Sequence, residues 1–236
     1  MSDPSAEYRF RDRAGHLIAE IDAALDRGEI DEAGWHARVA DIVRPAYLAA
    51  TTPQAQSGHS GDAVAWEHAR GIIADAIDRD GTFLDVGCAN GLLMETIVGW
   101  CAARGIRIEP YGLDIVVELA ALARARLPQY AERIFVGNAL TWSAPMRFDF
   151  VRVGLEYVPP RRRRDLVARL LHEVVAGDGR LVIGVYNEDV DLALTLRGIV
   201  EGWGYRVAGR SERRHRNRAN EVHHVLWIDA PARTMA

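Results

Sequence analysis

The stretch "TFLDVGCANG", residues 82–91, joins an apolar segment to a run of small residues. Residues 83–86 predict a buried strand, and Gly91 begins the following helix. Gly87 and Gly91 permit backbone angles and close approaches that other residues resist. A ligand can therefore lie directly on the main chain at the helix N-terminus, where free N–H groups attract anionic oxygen. In open α/β sheets this carboxyl edge of the strands is where ligands bind.

From residue 63 onward, helices alternate with short apolar strands, which is typical of a parallel sheet covered on both faces. The predicted helices are 63–78, 91–104, 116–127, 161–176 and 190–202. The predicted strands are 82–86, 109–113, 133–137, 148–153, 180–186, 205–209 and 222–228. No helix separates the last two strands, so we expect them to pair antiparallel at the sheet edge. The fold class is therefore α/β, a doubly wound, mostly parallel seven-stranded sheet with an antiparallel last strand.

The N-terminal segment predicts two helices that form a cap. Apolar stripes run along both helices, and a glycine stop with a cap at Asp31 separates them. Residues 49–62 are rich in Ser, Thr, Gly and Gln, which predicts a loop, and long loops in compact domains are often functional. We expect a helical cap over 1–50, a loop or lid over 51–62, a ligand-binding domain over 63–230 and a tail over 231–236.

Composition limits the classes of function. The chain has 236 residues, of which 49% are hydrophobic, enough to bury the core of one large domain. Its two cysteines are too few for a disulfide framework and lack metal-ligand companions, so we expect free thiols and no metal. All 29 basic residues are arginine, which excludes Schiff-base and Walker-lysine chemistry. No apolar run is long enough to cross a bilayer, and the charged N-terminus does not fit a signal peptide, so we expect a cytoplasmic protein.

Four stretches in order resemble the motifs of class I S-adenosylmethionine-dependent methyltransferases. "LDVGCANG" (84–91) resembles their motif I, with Ala89 in place of the middle glycine, whereas it fits the dinucleotide fingerprint G-x-G-x-x-G badly. "YGLDI" (111–115), "VGNAL" (136–140) and "FDFVRVGLEYVPP" (148–160) follow with the family's spacing. The resemblance covers residues 63–228.

The resemblance implies S-adenosylmethionine as the cofactor and assigns residues to it. Asp85 is implied to hold the methionine amino group, although an acid beside a glycine turn also fits a simple helix cap. Asp114 is implied to accept both ribose hydroxyls, and Ile115 to pack on adenine. The remaining implied cofactor contacts are Gly87, Cys88, Ala89, Asn90, Gly91, Asn138, Ala139 and Leu155.

A sulfonium methyl is already activated, so the protein mainly aligns the acceptor and excludes water. Glu156 and Tyr157 follow the fourth strand, where they would orient or deprotonate the acceptor; a locally satisfied polar pair is the alternative. His59 lies in the loop before motif I and is a second candidate base, while Gln56 or Ser57 would touch the cofactor. A solvent-exposed histidine fits the same loop.

Two arginine clusters leave the partner open. Residues 161–164 place four arginines at a helix start, where cations are unfavourable without a neighbouring anion, and 206–218 contain six more. They fit RNA phosphates, an anionic small molecule, or pairing with the acidic N-terminal helices. The net charge of −4 and the lack of interleaved aromatic residues disfavour RNA.

We therefore predict an enzyme that methylates N or O of a small molecule, with no membrane partner. An RNA methyltransferase and a catalytically silent cofactor-binding protein are the alternatives. The oligomeric state, including a homodimer, stays open.

Overall fold

A computed structural model describes residues 4–189 and 195–231 of the chain. The helices are α1 (Pro4–Asp26), α2 (Glu32–Ala49), α3 (Ala63–Arg70), α4 (Leu92–Ala102), α5 (Val117–Arg126), α6 (Arg163–Arg169) and α7 (Leu196–Gly202). The strands are β1 (Gly81–Val86), β2 (Ile108–Asp114), β3 (Ile134–Val136), β4 (Phe148–Val153), β5 (Val175–Asp189), β6 (Gly209–Arg214) and β7 (Glu221–Asp229). The first five residues of the predicted helix 190–202 and most of the tail lie outside the described residues.

The seven described strands form one sheet in the order β3-β2-β1-β4-β5-β7-β6. The pairs from β3 to β5 are parallel, and β7 runs antiparallel to both β5 and β6. The predicted fold class, including the hairpin at the sheet edge, is confirmed. Because β1 to β4 point the same way, the loops that follow them meet at one edge of the sheet.

Both faces of the sheet are buried, as expected for a doubly wound fold. Along β1, Leu84 and Val86 point to one face and pack with residues of α6 and α7. Phe83 points to the other face, where it packs with residues of the segment 66–77 and of α4. The continuous apolar character of the strands follows from this two-sided burial.

The two N-terminal helices, which we call the cap helices, form as the apolar stripes predict. Gly28 adopts a left-handed φ of 74° in the turn between them, and the Asp31 carboxylate caps α2 by accepting the Gly34 N–H at 2.8 Å. Trp35 is buried against Ile21 and Leu25 of α1. Its indole N–H donates to Asp22 at 2.7 Å, which fixes the two helices against each other.

Several predicted element boundaries are wrong. The predicted strand 205–209 is replaced by β6, which begins only at Gly209. The backbone of "GRSERR" forms this strand by pairing with β7, and the Ser211 hydroxyl donates to Asp75 at 2.6 Å. Strand β5 extends well beyond the predicted 180–186 at both ends. The predicted helix 63–78 stops at Arg70 and continues as a 3₁₀ segment, Gly71–Ala76.

The arginine clusters are tied to the protein itself. At the start of α6, Arg161 and Arg162 pair with Glu32 of α2 at 3.6 and 3.0 Å, so a neighbouring acid relieves the repulsion. In β6, Arg213 donates to the His68 carbonyl of α3 at 3.1 Å. The acidic cap helices thus meet the cluster at 161–164, and the cluster near the last hairpin packs on α3. No described helix is long and apolar enough to cross a membrane.

His223 in β7 makes the stability of this fold dependent on pH. Burial, together with His215 and His68 nearby, lowers the pKa of His223 to about 4. The ring contacts Asn187 at 2.6 Å, and the rings of His215 and His68 lie 4.7 and 5.8 Å away. An unfolded histidine has a pKa of about 6.5, so the unfolded state binds more protons below that pH.

We expect the free energy of unfolding to fall by about 1–3 kcal/mol as the pH drops from above 6.5 to about 4. His223→Gln keeps a polar group beside Asn187 but does not titrate in this window. Urea unfolding at several pH values therefore separates the two proteins, and the variant should lose less stability in acid. If the free energy of unfolding fell equally in acid for both proteins, His223 would have an ordinary pKa in the folded state.

Candidate functional site

A cavity of about 750 Å³ lies between the cap helices and the carboxyl edge of the sheet. Its floor comes from the loops after β1, β2, β3 and β4, and its roof from α1, α2 and residues 55–59. The volume falls within the roughly 300–1,000 Å³ of small-molecule sites. The cavity therefore occupies the place where parallel α/β sheets bind ligands.

The turn after β1 is held by the carboxylate of Asp114 at the end of β2. One carboxylate oxygen accepts the Ala89 N–H and the other the Val116 N–H, both at 2.8 Å. Burial raises the pKa of Asp114, while these backbone hydrogen bonds oppose the rise. Gly87 and Ala89 both have left-handed φ angles, 77° and 47°. Since alanine disfavours this conformation, the hydrogen bond to Asp114 helps to hold Ala89 in it.

Side chains of α2 and of the loop after β4 cover this turn. The Ala89 methyl group packs with Val116 and Leu119, and Ala40 and Tyr47 of α2 pack against that cluster. A side chain at Gly87 would meet the Tyr157 ring at 2.5 Å. Glycine at position 87 is therefore required both by the backbone angle and by the close approach of this ring.

A buried charge network lies beneath the turn. Asp85 of β1 and Arg152 of β4 are cross-strand neighbours, and their side chains meet at 3.3 Å. Arg152 also donates to the Tyr157 hydroxyl at 2.9 Å and to the Gly184 carbonyl at 2.6 Å. Burial raises the pKa of Asp85 to about 6 even though Arg152 opposes the rise. The pKa of this carboxyl therefore lies above that of an exposed aspartate.

A second cavity of about 40 Å³ adjoins this network and is lined in part by Asp85, Arg70 and Arg152. Arg70 ends α3 and donates to the Val185 carbonyl at 3.2 Å. Burial and the charge of Arg152 lower the pKa of Arg70. The small cavity thus offers one carboxylate and two guanidinium groups to the charged end of a ligand.

Glu156 and Tyr157, the predicted catalytic pair, both line the large cavity. The Glu156 carboxylate accepts the Tyr186 hydroxyl at 2.5 Å, and the Tyr186 oxygen accepts the Leu155 N–H. Burial raises the pKa of Tyr157 above its ordinary value, so its phenol stays protonated at neutral pH. Glu156 supplies the carboxylate of the pair, and this carboxylate already binds the Tyr186 hydroxyl.

The loop before α3 closes over motif I through Asn90. The Asn90 amide group donates to the Pro53 carbonyl at 2.9 Å, and its oxygen accepts the Ser57 hydroxyl at 2.5 Å. Gln56 contacts the same amide at 3.3 Å. The His59 ring packs edge-on against Trp66, 5.5 Å between centroids, and lines the large cavity.

The structure brings most predicted site residues to the large cavity. Those on its wall are Gly87, Ala89, Asp114, Ile115, Asn138, Ala139, Glu156, Tyr157 and His59. Asp85 and Cys88 line the small cavity instead. Burial raises the pKa of Cys88 well above its ordinary value, and both cysteines are free thiols, as expected.

Three predicted cofactor contacts lie off the walls of both cavities. The Asn90 side chain is fully buried and engaged by the loop, whereas Gly91 packs on Leu127. Leu155 belongs to the core. Direct side-chain contacts from Asn90 and Leu155 are therefore not supported by the geometry, because other parts of the protein occupy those groups.

Sequence reasoning missed Arg70, Arg152 and His36 and singled out Arg163 only as a member of a basic cluster; all four line the large cavity. A visible signal existed for Arg152, because it interrupts the otherwise apolar end of a strand. Its side chain is only 7% exposed, which requires buried partners such as Asp85. His36 and Arg70 carried no such signal, since each lies on a helix whose orientation the pattern does not fix.

No protein-family model and no curated protein matches the chain. Solved structures match its fold: N-methyltransferase NodS from Bradyrhizobium japonicum WM9 superposes with a TM-score of 0.54 at 16% identity, covering 72% of this chain and 98% of that one. The glycopeptide N-methyltransferase MtfA gives 0.52 at 14%, covering 77% and 100%. The [4+2]-cyclase SpnF gives 0.54 at 14%, covering 78% and 84%. The chain therefore has the class I methyltransferase fold.

We expect Arg152→Leu to lower the free energy of unfolding by about 3 kcal/mol at pH 7, because it leaves the Asp85 carboxylate buried without a partner. The folded pKa of Asp85 then rises further above its unfolded value of about 3.9, so the folded state gains protons as the pH falls. The difference between variant and wild type should shrink between pH 7 and pH 5 in urea unfolding.

The double variant Asp85→Asn, Arg152→Leu is the control, because it has no carboxyl to titrate. Because the Asp85 carboxyl of the wild type also takes up a proton near pH 6, the double variant should lose stability relative to both wild type and Arg152→Leu as the pH falls from 7 to 5. A loss from Arg152→Leu that is equal at both pH values would contradict the assignment.

Proposed function

We propose that the chain is an S-adenosylmethionine-dependent methyltransferase that methylates N or O of a small molecule. One observation carries the proposal: the turn after β1, Asp114 and Asn138 line a single cavity that the cap helices cover. These are the positions at which the sequence resembles the family. The fold supports the proposal without deciding it, since unrelated reactions share folds.

Asp114 and its neighbours fit the nucleoside half of the cofactor. A carboxylate has about four lone-pair positions, and the backbone of Ala89 and Val116 uses two of them. The Ile115 N–H also interacts with this carboxylate, and a remaining lone pair is available to a ribose hydroxyl. Ile115 is 41% exposed at the cavity wall, an apolar surface suited to an adenine ring. The Asn138 oxygen accepts the Leu140 N–H at 2.9 Å and keeps a lone pair for the adenine amine.

The small cavity fits the methionine end. Asp85 would attract the amino group, and Arg70 would attract the carboxylate of the same zwitterion. Arg152 keeps Asp85 in place by contacting it at 3.3 Å. These charges lie next to Gly87, and the family resemblance assigns the methionine amino group to Asp85.

The bound sulfonium compound would supply an activated methyl group, so the residues of this chain need only align the acceptor, exclude water and take up a proton. The cap helices close the cavity above the loop after β4. Glu156 is exposed at the rim and is positioned to orient an acceptor. Tyr157, with its raised pKa, would orient and not deprotonate.

The cover over the cavity and the pairing of nearby arginines favour a small acceptor over RNA. The cavity is covered by helices, and Arg161 and Arg162 are occupied by Glu32 of the cap. Two neighbours of the fold are described as N-methyltransferases, one of them acting on glycopeptides. The third is described as a cyclase, so binding of the cofactor without methyl transfer is an outcome that the experiment must be able to reveal.

The proposal is tested by incubating the protein with methyl-labelled S-adenosylmethionine and separate metabolite and RNA fractions. We expect label in a compound of the metabolite fraction, identified by mass analysis. Label in RNA would support the alternative enzyme. Calorimetric binding of S-adenosylmethionine without any turnover would support a silent binding protein, and the absence of binding would remove the proposal.

We expect Asp114→Asn to weaken binding of S-adenosylhomocysteine about 10- to 100-fold, because hydrogen bonds to a charged acceptor contribute about 1.5–3 kcal/mol. Isothermal calorimetry measures the change. Asp229→Asn is the matched control. Asp229 is exposed at the end of β7 and pairs with Arg180 of β5, away from the edge of the sheet that carries the cavity. Unchanged affinity in a folded Asp114→Asn protein would contradict the ribose assignment.

A further inference from the structure

One face of α2 forms much of the cavity roof. His36, Val39, Ala40, Val43, Ala46 and Tyr47 line it. These positions recur at intervals of three, four and seven residues, so they share one side of the helix. All are apolar except His36 and the Tyr47 hydroxyl. His36 is therefore the imidazole on this otherwise apolar face of the helix.

The contacts of α2 show which part of the floor His36 faces. Toward its C-terminus, Ala40 and Tyr47 pack over Ala89 and Val116, the proposed nucleoside end. At its N-terminus, Glu32 pairs with Arg162, which follows the loop after β4. His36 lies one turn from Ala40 and one turn from Glu32, about 6 Å along the axis in each direction. It therefore stands toward the β4 side, where Val158, Pro160 and Arg163 line the cavity.

His36 is buried without satisfying its ring. It is 9% exposed, and its Nε2 atom has no hydrogen-bond partner among the described residues. The ring packs edge-on against Trp35, 5.0 Å between centroids. Leaving a buried polar atom unpaired costs free energy, and Nε2 has almost no accessible surface, so a ligand donor gains affinity there once a small shift of the ring lets it reach Nε2.

The charged groups around His36 are engaged elsewhere. Asp22 of α1 accepts the Trp35 indole N–H, Glu32 pairs with Arg161 and Arg162, and Arg163 donates to the Leu155 carbonyl at 3.2 Å. Burial lowers the pKa of His36, and the charge of Glu32 opposes this only in part. At neutral pH the imidazole is therefore uncharged and able to accept a hydrogen bond.

We propose that His36 binds the hydroxyl group of an apolar acceptor and is the base for its O-methylation. This inference rests on the proposed function and narrows it to alcohols or phenols carried on an apolar ring system. The apolar face of α2 buries the ring system, and Nε2 accepts the hydroxyl proton. A hydroxyl benefits from losing its proton during attack, whereas a neutral amine attacks first and loses its proton afterwards.

The step balances as an in-line displacement. The acceptor O–H bond breaks with its proton moving to Nε2, and the oxygen electron pair forms the bond to the methyl carbon. The pair of the carbon–sulfur bond stays on sulfur, which becomes a neutral thioether. The imidazolium then releases its proton to solvent.

Binding of 2-naphthol and of 2-methylnaphthalene, which has no hydroxyl, tests the proposal on the full chain in saturating S-adenosylhomocysteine. We expect wild type to bind 2-naphthol about tenfold more tightly than 2-methylnaphthalene. His36→Leu should remove this preference while keeping affinity for 2-methylnaphthalene. His36→Gln should keep part of it, because an amide oxygen still accepts a hydrogen bond.

Fluorescence separates the base from a mere hydrogen-bond acceptor. Excited 2-naphthol is a strong acid, so a base in contact with its hydroxyl produces emission from the anion. Because water also accepts this proton, the emission of free 2-naphthol is subtracted, and we expect the bound probe to show anion emission with wild type and to lose it in both His36→Leu and His36→Gln. Anion emission that persists in His36→Gln would overturn the base assignment.

Equal binding of the two probes to wild type, a hydroxyl preference unchanged in His36→Leu, or no binding of either probe would each overturn the acceptor site. Calorimetry with S-adenosylhomocysteine on the same proteins keeps the two proposals apart. We expect all three proteins to bind it alike. Wild type that binds the probes but not this compound would contradict the proposed function and leave the hydroxyl site standing.

Discussion

The site depends on the Asp114 carboxylate, which accepts the backbone N–H groups of Ala89 and Val116 at 2.8 Å each. These two bonds join the turn after β1 to the turn after β2. They also hold Ala89 at a left-handed φ of 47°, which directs its methyl group toward α2. One buried carboxylate thus shapes the floor of the cavity and helps to form the surface on which the roof rests.

Because the chain contains no lysine, arginine makes the ionic contacts that arginine and lysine share in other proteins. Arg152 reaches Asp85, Tyr157 and the Gly184 carbonyl at once, which its planar group of five N–H donors makes possible. Arg162 contacts both carboxylate oxygens of Glu32 at 3.0 and 3.1 Å, so it joins α2 to the loop after β4. Several arginines of the basic clusters are therefore engaged within the protein, and Arg70, Arg152 and Arg163 bring positive charge to the cavity.

The sequence predicts the features that depend on local pattern. Buried strands such as Phe148–Val153 and the glycine turn at Gly87 are visible as apolar runs and small residues. Strand β6 was misplaced because "GRSERR" has no apolar alternation and is a strand only through its pairing with β7. His36 was missed for a related reason: the apolar stripe of α2 identifies the side that packs on α1, but only the docked helix shows which neighbouring side faces the cavity.

The division between floor and roof explains why the fold alone leaves the reaction open. Structures described as N-methyltransferases and as a [4+2]-cyclase share this fold with the chain. The floor is built from strand ends whose positions the parallel sheet fixes. The described residues of α1 and α2 meet the rest of the chain through side-chain packing, the Glu32 pairs and the Arg44–Glu118 pair, so changes there need not disturb the sheet. Residues of the roof are therefore the ones free to select the acceptor. Among the described residues of α2, His36 is the buried titratable group with an unpaired ring nitrogen.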